Sequence, residues 1–180
     1  MKKNLTSVFG GKLQKGFTLI EILVVIGIIA VLALIVLVAI NPARQFAQAR
    51  NTQRTSNVEA ILNAIGQNMV DNKGVFSCTS NSVNITIPSI TTPVYPFNSI
   101  PAGAVEIKNG STADLSCLSP TYIPALPFDP SSSGAHWTSG SDYSTGYYVF
   151  QDSSTGRVTV FAPNIESALG TGQNYLYITR

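Results

Sequence analysis

Charge is scarce in this sequence, and histidine is nearly absent. Of its 180 residues, 11% are charged and one, His136, is a histidine. His136 stands beside Trp137 in a stretch rich in serine and glycine, which we expect to be a loop. No Ser-His-Asp, Cys-His or paired-carboxylate pattern surrounds it, and the chain has no P-loop glycine motif and no metal-spaced Cys/His cluster. The sequence therefore predicts a protein that is not an enzyme and uses no cofactor.

One long apolar run dominates the N-terminal part of the chain. Residues 17–40 contain a single charged side chain, Glu21, and they follow a leader, residues 1–16, that has four lysines and no acidic residue. At about 1.5 Å per residue, a helix over this run extends roughly 36 Å, which is enough to cross a hydrocarbon core of about 30 Å. The run is too long for an ordinary secretory signal, and the lysines favour a cytoplasmic N-terminus. We therefore expect residues 17–41 to form a transmembrane helix.

Glu21 is the informative exception within this run. A charged side chain inside an apolar membrane helix costs about 2.5–3.5 kcal/mol near the bilayer centre on insertion scales, so it usually marks a site with a partner. Glu21 lies close to the start of the run, five residues after Gly16. We therefore expect this carboxylate to serve a function that outweighs its cost in the membrane.

The segment Gly16-Phe17-Thr18-Leu19-Ile20-Glu21 resembles the processing site of type IV prepilins, a family that includes type IV pilins and the pseudopilins of type II secretion and competence systems. The resemblance implies that a prepilin peptidase cleaves between Gly16 and Phe17 and then methylates the new amine of Phe17. It also implies that Glu21 of one subunit attracts the Phe17 amine of the next during assembly. A cytoplasmic assembly ATPase and a polytopic platform protein are further implied partners.

On this resemblance, we expect a structural subunit that resides in membrane lipid as a monomer and polymerises with copies of itself. The resulting filament would be extracellular or periplasmic. A pseudopilin of a type II secretion or competence system is an alternative within the family. A membrane-anchored binding module that never polymerises, and that keeps its leader, is an alternative of another class.

The expected fold class is α+β, with a long N-terminal helical spine packed on a small antiparallel sheet. Residues 42–70 form the amphipathic continuation of the helix, with a possible kink at Asn41-Pro42. The apolar positions at helical spacing are Val58, Ile61, Leu62, Ile65 and Met69, whereas Arg50, Gln53, Arg54, Asn57, Asn63 and Gln67 are predicted to lie on other faces.

A single globular head is predicted for residues 71–180, a length that suits one small domain. Three runs of β-branched and aromatic residues, 146–150, 157–161 and 175–179, predict an antiparallel sheet. The first two runs flank residues 152–156, which have the composition of a hairpin loop. Shorter strands are expected over residues 83–87 and around Val105 and Ile107.

The head is mildly acidic, since residues 71–180 contain four basic and seven acidic side chains. Non-specific DNA binding depends on Lys and Arg displacing counterions from phosphates, so we expect this subunit to bind DNA weakly. The main basic cluster outside the leader is Arg44, Arg50 and Arg54, which we expect neighbouring helices to cover in a filament.

Two cysteines, Cys78 and Cys117, lie on the side that is expected to be exported, and they permit one intramolecular pairing. We predict a disulfide between them, which would remove roughly 4 kcal/mol of unfolded-state freedom on the chain-entropy model. Two buried free thiols are the alternative. Many pilins bridge cysteines nearer the C-terminus, and this chain departs from that pattern.

The segment from Tyr122 to Pro130, followed by Gly146-Tyr147-Tyr148, resembles the passage from loop to sheet in major pseudopilins and some Gram-positive pilins. Alternatively, its prolines and Asp129 simply form turns while the tyrosines pack on a sheet. Some pseudopilins bind calcium in a C-terminal loop, and Asp129, Asp142 and Asp152 offer oxygen donors. Their spacing matches no ligand pattern such as the EF-hand, so no metal site is predicted.

Overall fold

The computed structural model describes residues 16–80, 82–166 and 175–180, and the chain divides into two compact units. The first unit ends at Pro42 and the second comprises Ala43–Arg180. Helix α1 spans Leu19–Ile40 and helix α2 spans Pro42–Asp71. Between them Asn41 adopts a left-handed conformation, with φ 45° and ψ 79°, that ends α1. In place of the kink expected at Asn41-Pro42, a single non-helical residue separates two helices, and most of the predicted leader lies outside the described residues.

Helix α1 is apolar on every side. Its 22 residues extend about 33 Å, and none of them is buried. Among the described residues it is the one helix long and apolar enough to cross a membrane. A helix that is apolar all round needs an apolar environment, so its length and composition agree with the predicted transmembrane segment.

Helix α2 has one buried face, which includes four of the five apolar positions predicted from the sequence, while the fifth, Met69, is partly buried against the core. Val58, Ile61, Leu62 and Ile65 are all buried. The same face continues toward the N-terminus through Ala47, Asn51 and Arg54 at spacings of three or four residues. The prediction that Arg54 lies on another face is therefore wrong, because helical periodicity aligns it with Val58 and Ile61.

Within the described residues, eight strands follow α2. They are β1 (Cys78–Ser80), β2 (Val83–Ile85), β3 (Ser89–Ile90), β4 (Val105–Lys108), β5 (His136–Ser139), β6 (Asp142–Asp152), β7 (Val158–Ala162) and β8 (Leu176–Thr179). Strands β1 and β2 form a separate antiparallel pair, and the other six form one sheet organised around the long strand β6. Strands β6, β7 and β8 pair antiparallel in sequence order, which confirms the predicted C-terminal sheet and its hairpin.

The two faces of the sheet carry different residues because side chains alternate along each strand. On one face, Tyr147, Val149 and Val160 pack with the buried side of α2 in the main core. The opposite face carries Phe150 and Phe161, which pack with Phe97 from the connection between β3 and β4. The sheet therefore has a largely aliphatic side with some tyrosines against the helix, and an aromatic side away from it.

Candidate functional site

The N-terminal motif predicted to direct processing lies just before and within the first turn of α1. Gly16, Phe17 and Thr18 precede the helix and are exposed, with Phe17 84% exposed. Thr18 is the N-cap, with extended backbone angles, and its hydroxyl oxygen accepts a hydrogen bond from the Glu21 backbone N–H. The predicted cleavage bond between Gly16 and Phe17 is therefore non-helical and accessible.

Glu21 completes a capping box with Thr18. Its Oε2 accepts hydrogen bonds from the Thr18 backbone N–H at 2.7 Å and from the Thr18 hydroxyl at 2.8 Å. A carboxylate in the first turn also interacts favourably with the positive end of the helix dipole. Among the described residues, none makes a hydrogen bond or an ion pair with the other oxygen, Oε1. The arrangement leaves one carboxylate oxygen available to a partner.

Gly16 has open space around it. A Cβ built on this residue meets no other atom within 4 Å, and its φ is outside the left-handed region that favours glycine. Nothing in the described chain therefore requires a glycine here for folding. Any requirement for glycine at this position would reflect recognition by another molecule.

A disulfide joins Cys78 at the start of β1 to Cys117 in the 3-10 helix Ser116–Leu118, with 5.7 Å between the Cα atoms. The carboxylate of Asp114 lies beside this link and accepts hydrogen bonds from the hydroxyls of Tyr143, at 2.7 Å, and Ser80, at 3.0 Å. Burial favours a higher pKa for Asp114, but its hydrogen bonds outweigh burial and hold the pKa below its usual value. The link thus connects the segment after α2 to a well-bonded loop before β5.

A buried charge cluster, not predicted from the sequence, fastens α2 to the head. Arg54 is fully buried, and its Nε and one Nη donate to the two carboxylate oxygens of Asp129 at 2.9 and 3.2 Å. Arg54 also donates to Asn51 Oδ1 at 2.6 Å and to the Ser131 hydroxyl, and it lies 3.4 Å from Glu166 Oε1. This is the bidentate geometry in which arginine binds carboxylates most specifically.

Asp129 is more than the turn residue expected from its neighbouring prolines. Its Oδ1 also accepts from the backbone N–H groups of Ser131, at 2.8 Å, and Ser132, at 3.0 Å. Burial acts to raise the pKa of Asp129, but Arg54 and these donors reverse that effect and lower it. The residue therefore shapes its own turn and also binds the helix.

Glu166 extends the cluster to the exposed side of α2. Its carboxylate pairs with Arg50, and its backbone N–H and C=O both bond the side chain of Asn51. These contacts hold the connection that follows β7 against α2. The sequence does carry a signal for this face, because positions at spacings of three or four residues continue N-terminally from Val58. The signal was missed because several of those positions hold polar residues.

His136 lies in strand β5, so its assignment to a loop is wrong. Its Nε2 is 3.1 Å from Asp142 Oδ1, and its Nδ1 bonds the Gly134 carbonyl oxygen. These bonds raise the pKa of His136, the Gly134 contact most, although the ring remains exposed. The third candidate oxygen donor, Asp152, bonds Ser154 and Thr155 of its own hairpin. Within the described ranges, no three acidic, histidine or cysteine side chains converge as a metal site.

The fold and the site define a class of protein in which an apolar N-terminal helix, suited to a membrane, precedes an α+β head. Residues 11–37 match the family model described as the prokaryotic N-terminal methylation motif. Comparison with curated proteins and with solved structures found no match. The matched segment covers the predicted cleavage bond, the capping box and most of α1. The chain therefore carries the N-terminal signature of type IV pilins and pseudopilins.

Proposed function

We propose that this protein is the structural subunit of a type IV pilus-like filament, made as a membrane precursor with a cytoplasmic leader. The observation that supports the proposal is the methylation motif at residues 11–37, which spans the exposed bond between Gly16 and Phe17 directly before an apolar helix. A prepilin peptidase would cleave after Gly16 and methylate the Phe17 amine. An ATPase and a platform protein would then drive assembly of the exported head and its helix.

Assembly would use the charge that processing creates. Cleavage exposes the amine of Phe17, and methylation leaves its positive charge in place. Glu21 retains Oε1 for such a cation while Oε2 remains bonded to Thr18. The Phe17 amine of a neighbouring subunit can therefore neutralise Glu21 in the low-dielectric filament core, which removes the penalty of an isolated carboxylate there.

The first test concerns the mature N-terminus. Mass spectrometry of the cellular protein should identify methylated Phe17 as the first residue. Gly16→Leu should block cleavage and leave intact precursor in the membrane, while the head folds normally because Gly16 has free space around it. A mature chain that starts elsewhere, or that retains its leader, would contradict the proposal and favour the non-polymerising anchor.

The second test concerns Glu21. Glu21→Gln keeps the shape of the side chain and removes its charge, so cleavage and membrane residence should persist. The yield of filaments sheared from cells should fall by at least about tenfold, since a difference of only 1.4 kcal/mol changes an equilibrium tenfold. Glu59→Gln is the matched control, because Glu59 is an exposed carboxylate on α2. Normal filament yield from Glu21→Gln, with cleavage confirmed, would show that Glu21 is not the assembly contact.

A further inference from the structure

An open cleft lies at the aromatic side of the sheet. It has a volume of about 310 Å³ and is lined by Tyr95, Asp152, Thr155, Arg157, Tyr177 and Thr179. This volume is at the lower end of the range typical of small-ligand sites, about 300–1,000 Å³. The lining combines aromatic rings, hydroxyl groups and one exposed guanidinium, so its chemistry is more specific than that of a general apolar groove.

The rings of Tyr95 and Tyr177 both pack on the ring of Phe97. Phe97 is only 9% exposed, and its ring lies 4.6 Å from the Tyr95 ring and 4.9 Å from the Tyr177 ring, measured between centroids. Tyr95 is nevertheless 44% exposed. Neither phenolic hydroxyl hydrogen-bonds to any residue within the described ranges. The rings therefore present an ordered apolar surface edged by free hydroxyl groups, at little entropic cost to a ligand.

The accessible charge in the cleft is positive. The exposed guanidinium of Arg157 makes no hydrogen bond or ion pair with any described residue, whereas Asp152 is 6% exposed. The carboxylate of Asp152 already accepts bonds from the Ser154 N–H and hydroxyl and from the Thr155 hydroxyl. A ligand therefore meets a free arginine and a carboxylate whose hydrogen-bonding capacity is largely used within its own loop.

We propose that this cleft binds a sugar that carries a carboxylate, such as a uronic acid unit of a polysaccharide. The apolar C–H face of the sugar ring would pack on Tyr95 and Tyr177, as apolar groups pack on aromatic faces generally. Arg157 would pair with the sugar carboxylate through the N–H groups of its planar guanidinium. Because the head has an excess of acidic residues, long-range charge opposes an anion, and we expect millimolar affinity that depends on these short-range contacts.

The proposal does not rest on filament assembly, and the full-length chain in nonionic detergent micelles is sufficient to test it. The chain has seven tyrosines, and selective ¹³C labelling would report their rings by NMR. Titration with tetragalacturonate should shift the Tyr95 and Tyr177 signals. Arg157→Gln should weaken binding by about tenfold, the scale expected for loss of one charge-assisted contact. Lys73→Gln removes an exposed charge outside the cleft and should leave affinity unchanged.

The neutral tetrasaccharide of galactose has the same linkage and lacks the carboxylates. Its affinity for the unaltered chain should be about as low as the affinity of tetragalacturonate for the Arg157→Gln variant. Tyr95→Ala should weaken tetragalacturonate binding while the remaining tyrosine spectrum shows an intact head. The proposal is overturned by equal affinity for the neutral and acidic sugars, by unchanged affinity in Arg157→Gln, or by equal binding of polyglutamate, which has charge without sugar rings. Absence of any shift of Tyr95 and Tyr177 at saturating sugar would also overturn it.

Discussion

Replacing Arg54 with methionine should destabilise the head severely, although the sequence predicted Arg54 on a face of α2 other than the apolar one. The change keeps much of the side-chain volume and removes the bidentate partner of Asp129. Both side chains of this pair are fully buried. Asp129 retains its bonds from the Ser131 and Ser132 backbones, but its negative charge is left without a buried cation.

The size of the effect follows from this burial. Breaking a buried ion pair by removing one partner typically costs about 3–5 kcal/mol, because the remaining charge is uncompensated. Arg50 provides the matched control, since its ion pair with Glu166 is part-exposed, with the Arg50 side chain 39% exposed. Arg50→Met should therefore cost only about 0–1 kcal/mol, as for surface ion pairs. The double variant that combines Arg54→Met with Asp129→Asn should lose less free energy of unfolding than the sum of the losses in the two single variants.

Urea unfolding of the full-length chain in nonionic detergent would measure these differences. The fluorescence of Trp137, the only tryptophan, reports on the head because its ring packs 5.1 Å from that of Tyr143. If Arg54→Met and Arg50→Met lower the free energy of unfolding equally, burial of the Arg54 pair does not control head stability. Additive effects of Arg54→Met and Asp129→Asn would likewise refute direct coupling of the two residues.

Three further predictions concern the head. Replacing Cys78 and Cys117 together with alanine should lower the free energy of unfolding by up to about 4 kcal/mol, measured by the same urea assay, and an unchanged midpoint would show that the link adds no stability. The soluble fragment from about residue 43 onward should not bind duplex DNA with micromolar affinity at physiological salt in fluorescence anisotropy, because acids outnumber bases in the head and Arg54 is buried; micromolar binding would refute this charge argument. The folded pKa of Asp129 is lowered, so its stabilising effect should be present above the unfolded pKa of about 3.9 and lost as pH falls through the folded pKa. Acid should therefore shift the urea midpoint less in Asp129→Asn than in the unaltered chain, and equal shifts would assign the acid sensitivity to other groups.

Local sequence determined the features that depend on neighbouring residues. The apolar run predicts α1, because a helix satisfies every backbone hydrogen bond within its own segment. Thr18 and Glu21, three residues apart, form the capping box at the helix start, a local pattern that was not among the sequence-based predictions. The loop at residues 152–156 and the β-rich runs beside it likewise predicted the β6–β7 hairpin. In each case the partners lie close together in the chain, so the sequence pattern shows them directly.

Contacts between distant segments were decided only by the tertiary structure. Arg54 and Asp129 are 75 residues apart, and neither residue type indicates a buried position when it is read alone. The three-and-four spacing placed Arg54 on the apolar face of α2, but burial was favourable only because the turn at Asp129 supplies a matching carboxylate. The aromatic cleft has the same origin, since Tyr95, Arg157 and Tyr177 come from three separate segments of the chain. Sequence by itself determined the long apolar helix and the methylation motif at its start, whose physics is local, whereas folding of the head decided which polar residues are buried and which stay exposed.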